Sequence, residues 1–132
     1  MNSLKVLDVT LRDGGCVNNF NFGQVYIEKI LKAQEDAGVD IIELGYIDEK
    51  NGSECGRTQF VNELVIEQNI LKTKKEGVSY VAMMDYGKFD VNKLHDRTPN
   101  SIDGIRMAFH KKNLYDMVEI GKVIMEKGYD FY

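Results

Sequence analysis

The sequence predicts an α/β fold made of successive parallel βα units, and three observations carry that prediction. Apolar runs of strand length alternate with longer stretches whose apolar residues recur at helical spacing. The joints "EDAGVDIIEL", "KKEGVSYVAM" and "MEKGYDFY" each pass through a glycine (Gly38, Gly77, Gly128) straight into an apolar run. That is where a helix commonly ends in a left-handed residue. The apolar runs recur roughly every 25–38 residues, enough for one helix between parallel neighbours.

The elements follow in order. Residues 5–11 form the first expected strand, with Val6, Leu7, Val9 and Leu11 as its buried side chains. Residues 24–37 read as a helix, because Ile27, Ile30, Leu31 and Ala37 share one face. The second strand is "DIIELGYI", rich in β-branched residues. A polar loop over 48–59 follows, then a helix over 60–75 with Phe60, Val61, Leu64, Val65 and Leu71 on one side. Residues 78–86 form the third strand, 91–96 a short helix, and 102–110 the fourth strand. The last helix, 114–127, carries Leu114, Met117, Val118, Ile124 and Met125 as its apolar stripe, and "YDFY" begins a fifth strand. This spacing suits a doubly wound sheet and a (β/α)8 barrel equally well.

The 132 residues suit one domain, 1–132. A hydrophobic content of 43% with 29% charged residues is that of a globular chain. The net charge of −4, with signs interleaved, argues against nucleic acid as a partner. No apolar run is long enough for a membrane span, and "MNSLKVLDV" lacks the features of a secretion signal. Cys16 and Cys55 make no disulfide framework, so a cytoplasmic location with reduced thiols is expected. Neither GxGxxG nor GxxxxGKS/T follows the first strand, which argues against a nucleotide-binding domain.

The chemistry-bearing stretch is "VLDVTLRDGG". It delivers Arg12 and Asp13 to the end of a parallel strand, where α/β folds of both kinds build their sites. Asp13 offers a hard oxygen ligand for Mg²⁺ or Mn²⁺. Arg12 offers a planar fork for a carboxylate or an enolate oxygen. The alternative is a local Arg–Asp pair that closes a turn. Arg57 and Ser53, in the loop over 48–59, are further substrate-contact candidates. Asp85 and Tyr86 end the third strand on the same face.

"DVTLRDGGCVNNFNFG" resembles the first-strand signature of the DRE-TIM metallolyases, the superfamily of 3-hydroxy-3-methylglutaryl-CoA lyase, and is closest to the 4-hydroxy-2-oxovalerate aldolase-like group. "IIELGY" and "IRMAFHK" resemble that family's second and fourth strands. The resemblance implies that the chain is the first half of a (β/α)8 (TIM) barrel, about four βα units plus the start of strand five. It implies a lyase that cleaves or forms a C–C bond in a 2-oxo acid type substrate through an enolate, with a divalent metal, Mn²⁺ or Mg²⁺. Carried over, Arg12 stabilises the enolate oxygen, Asp13 ligates the metal and Glu43 supports the metal or the arginine. Arg106 and His110 line the substrate pocket, Cys16 is a small residue beside it, and Asp8 lies deeper as a structural residue. Two departures stand out. Cys16 occupies the place of the family's histidine base, and neither His95 nor His110 belongs to the family's HxH metal pair. The remaining metal ligands are expected outside this segment, and the chain alone is expected to be inactive or nearly so. The rival expectation is a non-catalytic half-barrel that self-associates through its open sheet edges.

Overall fold

Asp8 decides how the chain leaves its first strand. Its carboxylate accepts the Thr10 amide at 2.8 Å, a local bond that competes with strand pairing. The backbone turns helical at once, and the Arg12 and Asp13 amides both donate to the Val9 carbonyl. In this computed structural model, which describes residues 4–52 and 55–132, strand β1 is therefore only Leu7–Asp8, followed by the helical turn α1 (Thr10–Asp13). The expected strand over 5–11 is corrected accordingly. Val6 and Leu7 are exposed, because β1 is an edge that pairs with one neighbour.

The chain continues through α2 (Gly15–Asn18), α3 (Gln24–Asp36), β2 (Ile41–Ile47), β3 (Gln59–Phe60), α4 (Glu63–Asn69), β4 (Ser79–Asp85) and β5 (Gly104–Ala108). It closes with α5 (Leu114–Glu126) and β6 (Asp130–Phe131). Short 3₁₀ turns lie at Val91–Lys93 and Lys111–Asn113. Every strand pairing is parallel. The strands lie in the order β1-β2-β4-β5-β6, and β3 takes the edge of β2 beyond the end of β1. A doubly wound sheet reverses its order at a switch point. This sheet runs in chain order throughout, the arrangement of half a (β/α)8 barrel.

Strand β3 lay hidden in the expected loop and helix. It fits because Gly45 has no side chain: a Cβ there would stand 2.1 Å from the Thr58 carbonyl oxygen. The close approach lets Tyr46 and Asp48 donate their amides to Thr58 and Phe60, each at 2.9 Å. It coincides with a register irregularity between Glu43 and Tyr46 in the β2–β4 pairing. Helix α4 is shorter than the expected 60–75. Asn62 caps it, accepting the Val65 amide at 3.2 Å, and it ends at Asn69. Gly38 and Gly128 follow α3 and α5 with positive φ, as expected, whereas Gly77 turns an irregular segment instead of ending a helix.

The core lies between one face of the sheet and the helices. Ile42, Leu44 and Ile47 of β2, Tyr80, Ala82 and Met84 of β4, and Ile105 and Met107 of β5 are buried there. They join Ile27 and Leu31 of α3, Ile66 of α4, and Met117 and Ile124 of α5 in one cluster. Each fully buried Ile or Leu contributes about 1.5–3 kcal/mol. The stripe expected on α5 is only partly right. Met117 and Ile124 face the core, while Leu114, Val118 and Met125 are exposed. The helix settles on Gly121, where a Cβ would come within 2.7 Å of the Phe131 ring. Among the described residues, no helix is long and apolar enough to cross a membrane.

Candidate active site

The opposite face of the sheet carries the candidate polar residues. Alternation and register place Glu43, Val81, Met83, Asp85, Arg106 and Ala108 on it, and Tyr46 joins them through its pairing with Met83. Glu43 is 0% exposed. A carboxylate so buried must be paired and hydrogen-bonded, and two arginines do this. Arg12 donates from Nε to Glu43 Oε1 at 2.6 Å. Arg106 donates from Nη1 to Glu43 Oε2. Arg106 reaches over β4 to do so, since Glu43 registers with Val81 and Val81 with Gly104, two residues before Arg106.

Arg12 reaches Glu43 from α1, the helical turn that replaced the end of the strand. Its Nη1 also donates to Asp13 Oδ1 at 2.8 Å. Burial works against the Arg12 charge. The hydrogen bond and charge of Glu43, with help from Asp13, outweigh it and raise the Arg12 pKa above its ordinary value. The cluster thus holds two cations and two anions. They are unequal, because Glu43 is enclosed while the Asp13 side chain is 66% exposed.

Beside the cluster, Tyr46 donates its hydroxyl to Asp85 Oδ2 at 3.0 Å. Burial first, then this hydrogen bond, pushes the Tyr46 phenol well above its ordinary pKa. The Tyr46 ring stacks on Phe20, with centroids 6.0 Å apart.

The structure therefore brings together Arg12, Glu43 and Arg106, with Asp13 attached through Arg12. Asp8 is structural, as expected, accepting from Thr10 and from Gln34. Cys16 is exposed on α2, near enough to act on the Arg12 charge, and His110 is exposed ahead of the second 3₁₀ turn; neither hydrogen-bonds to the cluster. His110 lines a cleft of about 370 Å³ with Tyr86, Phe109 and Asp85, the acceptor of the Tyr46 hydroxyl. Ser53 lies outside the described residues. Tyr46 was missed by the sequence reading. The signal that marks it is the glycine inside "IELGYI", since glycine within a strand betrays a bulge or a close backbone approach.

Among the described residues, no three His, Cys, Asp or Glu side chains converge as a metal site. His95 is spent on Glu63, with Nδ1 2.9 Å from Oε1. Asp13 supplies a single carboxylate, already held by Arg12. Hard divalent ions take six or more oxygen ligands, so these residues by themselves do not fit the expected Mn²⁺ or Mg²⁺.

Two curated proteins resemble part of the chain. The chain is similar to the 4-hydroxy-2-oxovalerate aldolase of Burkholderia thailandensis, 31% identical over 80 residues, which is 58% of this chain and 23% of that protein. It is also similar to the protein of that name from Burkholderia pseudomallei, 30% identical over the same shares. The match thus spans about a quarter of the length of these relatives. No family model matches the chain, and no solved structure does. The likeness supports a distant aldolase-like relationship.

Proposed function

We propose that this chain supplies the first half of the active face of an aldolase-like lyase that cleaves or forms a C–C bond in a 2-oxo acid. The observation that carries the reading is the pair of arginines locked on one buried carboxylate. When the bond between the α and β carbons beside the 2-oxo group breaks, the β-hydroxyl gives its proton to a base and becomes a carbonyl, while the electron pair of the bond passes to the 2-oxo oxygen as an enolate. Arg12, held by Nε to Glu43, turns the remainder of its guanidinium toward that oxygen, a fixed donor where charge develops. Arg106 borders a cleft of about 260 Å³ with Met83, Ala108 and Tyr132, and takes the substrate carboxylate there. Glu43 touches neither group of the substrate; it positions both arginines. Asp13 is the one carboxylate of the cluster exposed enough to donate an oxygen to a divalent cation, with further ligands from outside the cluster.

The test is the binding of oxalate, a planar mimic of the 2-oxo acid enolate, to the chain. Arg12→Gln should weaken it at least about tenfold, the value of one charge-assisted hydrogen bond. If oxalate shifts no resonance of Arg12 or Arg106, the reading is wrong. Retro-aldol turnover by the chain alone is expected to be negligible.

A second reading, a half-barrel that pairs with another copy or with a separate half, has its own support. The outer edges of β1 and β6 are unpaired among the described residues, and Leu4, Val6 and Tyr132 are exposed beside them. Sedimentation at micromolar concentration tests this: a monomer throughout would sink it.

A further inference from the structure

Arg57 is built differently from the other arginines. Arg12 and Arg106 pair with Glu43, and Arg97 pairs with Asp103. Among the described residues, no carboxylate pairs with Arg57, and none pairs with Lys50. Neutral groups orient Arg57 instead. Its Nη2 donates to the Asn19 carbonyl at 3.0 Å and to Gln59 Oε1 at 3.2 Å. Gln59 is itself buried, at 7% exposure. The Arg57 Nε has no partner among the described residues. The guanidinium is held in place by neutral groups, with no carboxylate paired to it among the described residues.

The backbone around it accepts strain to make this arrangement. Asn19 and Phe20 both have positive φ, 55° and 58°, each costing about 1–2 kcal/mol for a residue with a side chain. That geometry presents the Asn19 carbonyl to Arg57 and the Phe20 carbonyl to the Thr58 amide at 2.9 Å. Asn19, Phe20, Lys50, Asn51, Arg57 and Gln59 line an open cleft of about 510 Å³. Lys50 and Arg57 are its two charged walls, and both are cations. Phe20 is shared with the candidate active site, since its ring also stacks on Tyr46.

We propose that this cleft is an oxyanion subsite that takes the carboxylate or phosphate group of a small molecule, with the Arg57 guanidinium as the anchor and Lys50 as the second charge. A guanidinium already held in place, with no carboxylate on it among the described residues, has no ion pair there to break when a ligand anion arrives. Planar donors on Arg57 match a two-oxygen acceptor, and Asn51, whose amide donates to Asp48 at 2.8 Å, borders the rim. The proposal rests on the neutral partners that orient Arg57 in this cleft and stands whether or not the neighbouring cluster is an enolate site.

The experiment is a titration of the chain with inorganic phosphate and, separately, with acetate, read on the arginine Nε–H resonances by NMR, with the Arg57 signal assigned from Arg57→Lys. One or both anions should shift that signal saturably. A response to phosphate alone identifies a phosphate ester as the ligand class, and a response to acetate identifies a carboxylate. Arg57→Gln should weaken binding about tenfold or more. Lys50→Gln should weaken it less, and Lys122→Gln, an exposed α5 lysine paired with Glu119, should leave it unchanged. The backbone amide spectrum confirms that each variant is folded. No saturable shift with either anion, or undiminished binding in folded Arg57→Gln, would overturn the proposal.

Discussion

The molecule holds two carboxylates between pairs of cations, at neighbouring levels of one sheet. Glu43 sits between Arg12 and Arg106, inside β2 and in register with the first residue of β5 across β4. Asp103 sits between Lys74 and Arg97, where β4 and β5 begin. The charge count is the same and the outcome differs. Asp103 also accepts the Tyr80 amide at 2.9 Å, and Lys74 also donates to the Ser101 carbonyl at 3.0 Å. Its cations therefore tie loops to strand starts. Burial would raise the Asp103 pKa, but Lys74, the Tyr80 amide and Arg97 together lower it. At Glu43, Arg106 arrives from the same face of the sheet and Arg12 from α1, and Arg12 continues to the exposed Asp13. The Asp103 cluster ties loops to strand starts, whereas the Glu43 cluster ties α1 to two strands and ends in an exposed carboxylate.

The largest expected effect lies at Glu43. Glu43→Gln leaves two guanidiniums facing a neutral amide in a buried place, and should cost about 3 kcal/mol, the low end for breaking a buried pair because both arginines keep some solvent contact. Urea unfolding measures this, and a loss under about 1 kcal/mol would mean that Glu43 is effectively hydrated. Next comes Asp103→Asn, expected to cost about 1.5–3 kcal/mol through its charged hydrogen bonds. The acid limb sharpens the contrast. A carboxylate with a lowered folded pKa stabilises the fold above its unfolded pKa, and that stability drains away as pH falls through the folded value. Asp103→Asn should therefore flatten the loss of stability below the ordinary carboxylate pKa of 3.8.

The alkaline limb depends chiefly on burial. Burial first pushes Tyr80 and Tyr129 up to about 12, while an unfolded tyrosine titrates near 10. Below about pH 10 both states are protonated and stability is full. Between there and about 12 the unfolded chain ionises first, so melting temperature should fall across that window. Flat melting temperatures through it would mean that these phenols reach water. The smallest effect is at Asp13. Its carboxylate is 66% exposed, so Asp13→Asn should change stability by under about 1 kcal/mol, and any large effect must appear in ligand binding.

Sequence spacing was enough to read the βα alternation, because apolar periodicity and glycine-terminated helices are local signals. It placed β2, β4, β5, α3 and α5 to within a few residues of their observed spans. It misjudged the first strand, because the Asp8 side chain captures the Thr10 amide and periodicity does not report such a bond. It missed β3, because two residues paired to a distant strand leave no periodic trace. At the site, "LRDGG" and "IIELGY" drew attention to Arg12, Asp13 and Glu43, which the structure brings together, while Cys16 and His110 make no hydrogen bond to them.

The sequence by itself therefore determined the class of fold, the direction of its strands and the buried face of α3. These follow from period, propensity and the φ that glycine allows. Only the tertiary structure decided between a barrel-ordered sheet and a doubly wound one, because strand order is a choice among distant partners with equal local patterns. It also decided that Glu43 binds two arginines 31 residues behind it and 63 ahead, and that Arg57 stands without a carboxylate among the described residues. Charge pairing acts through space, and burial sets its strength; neither is written in the spacing of residues along the chain.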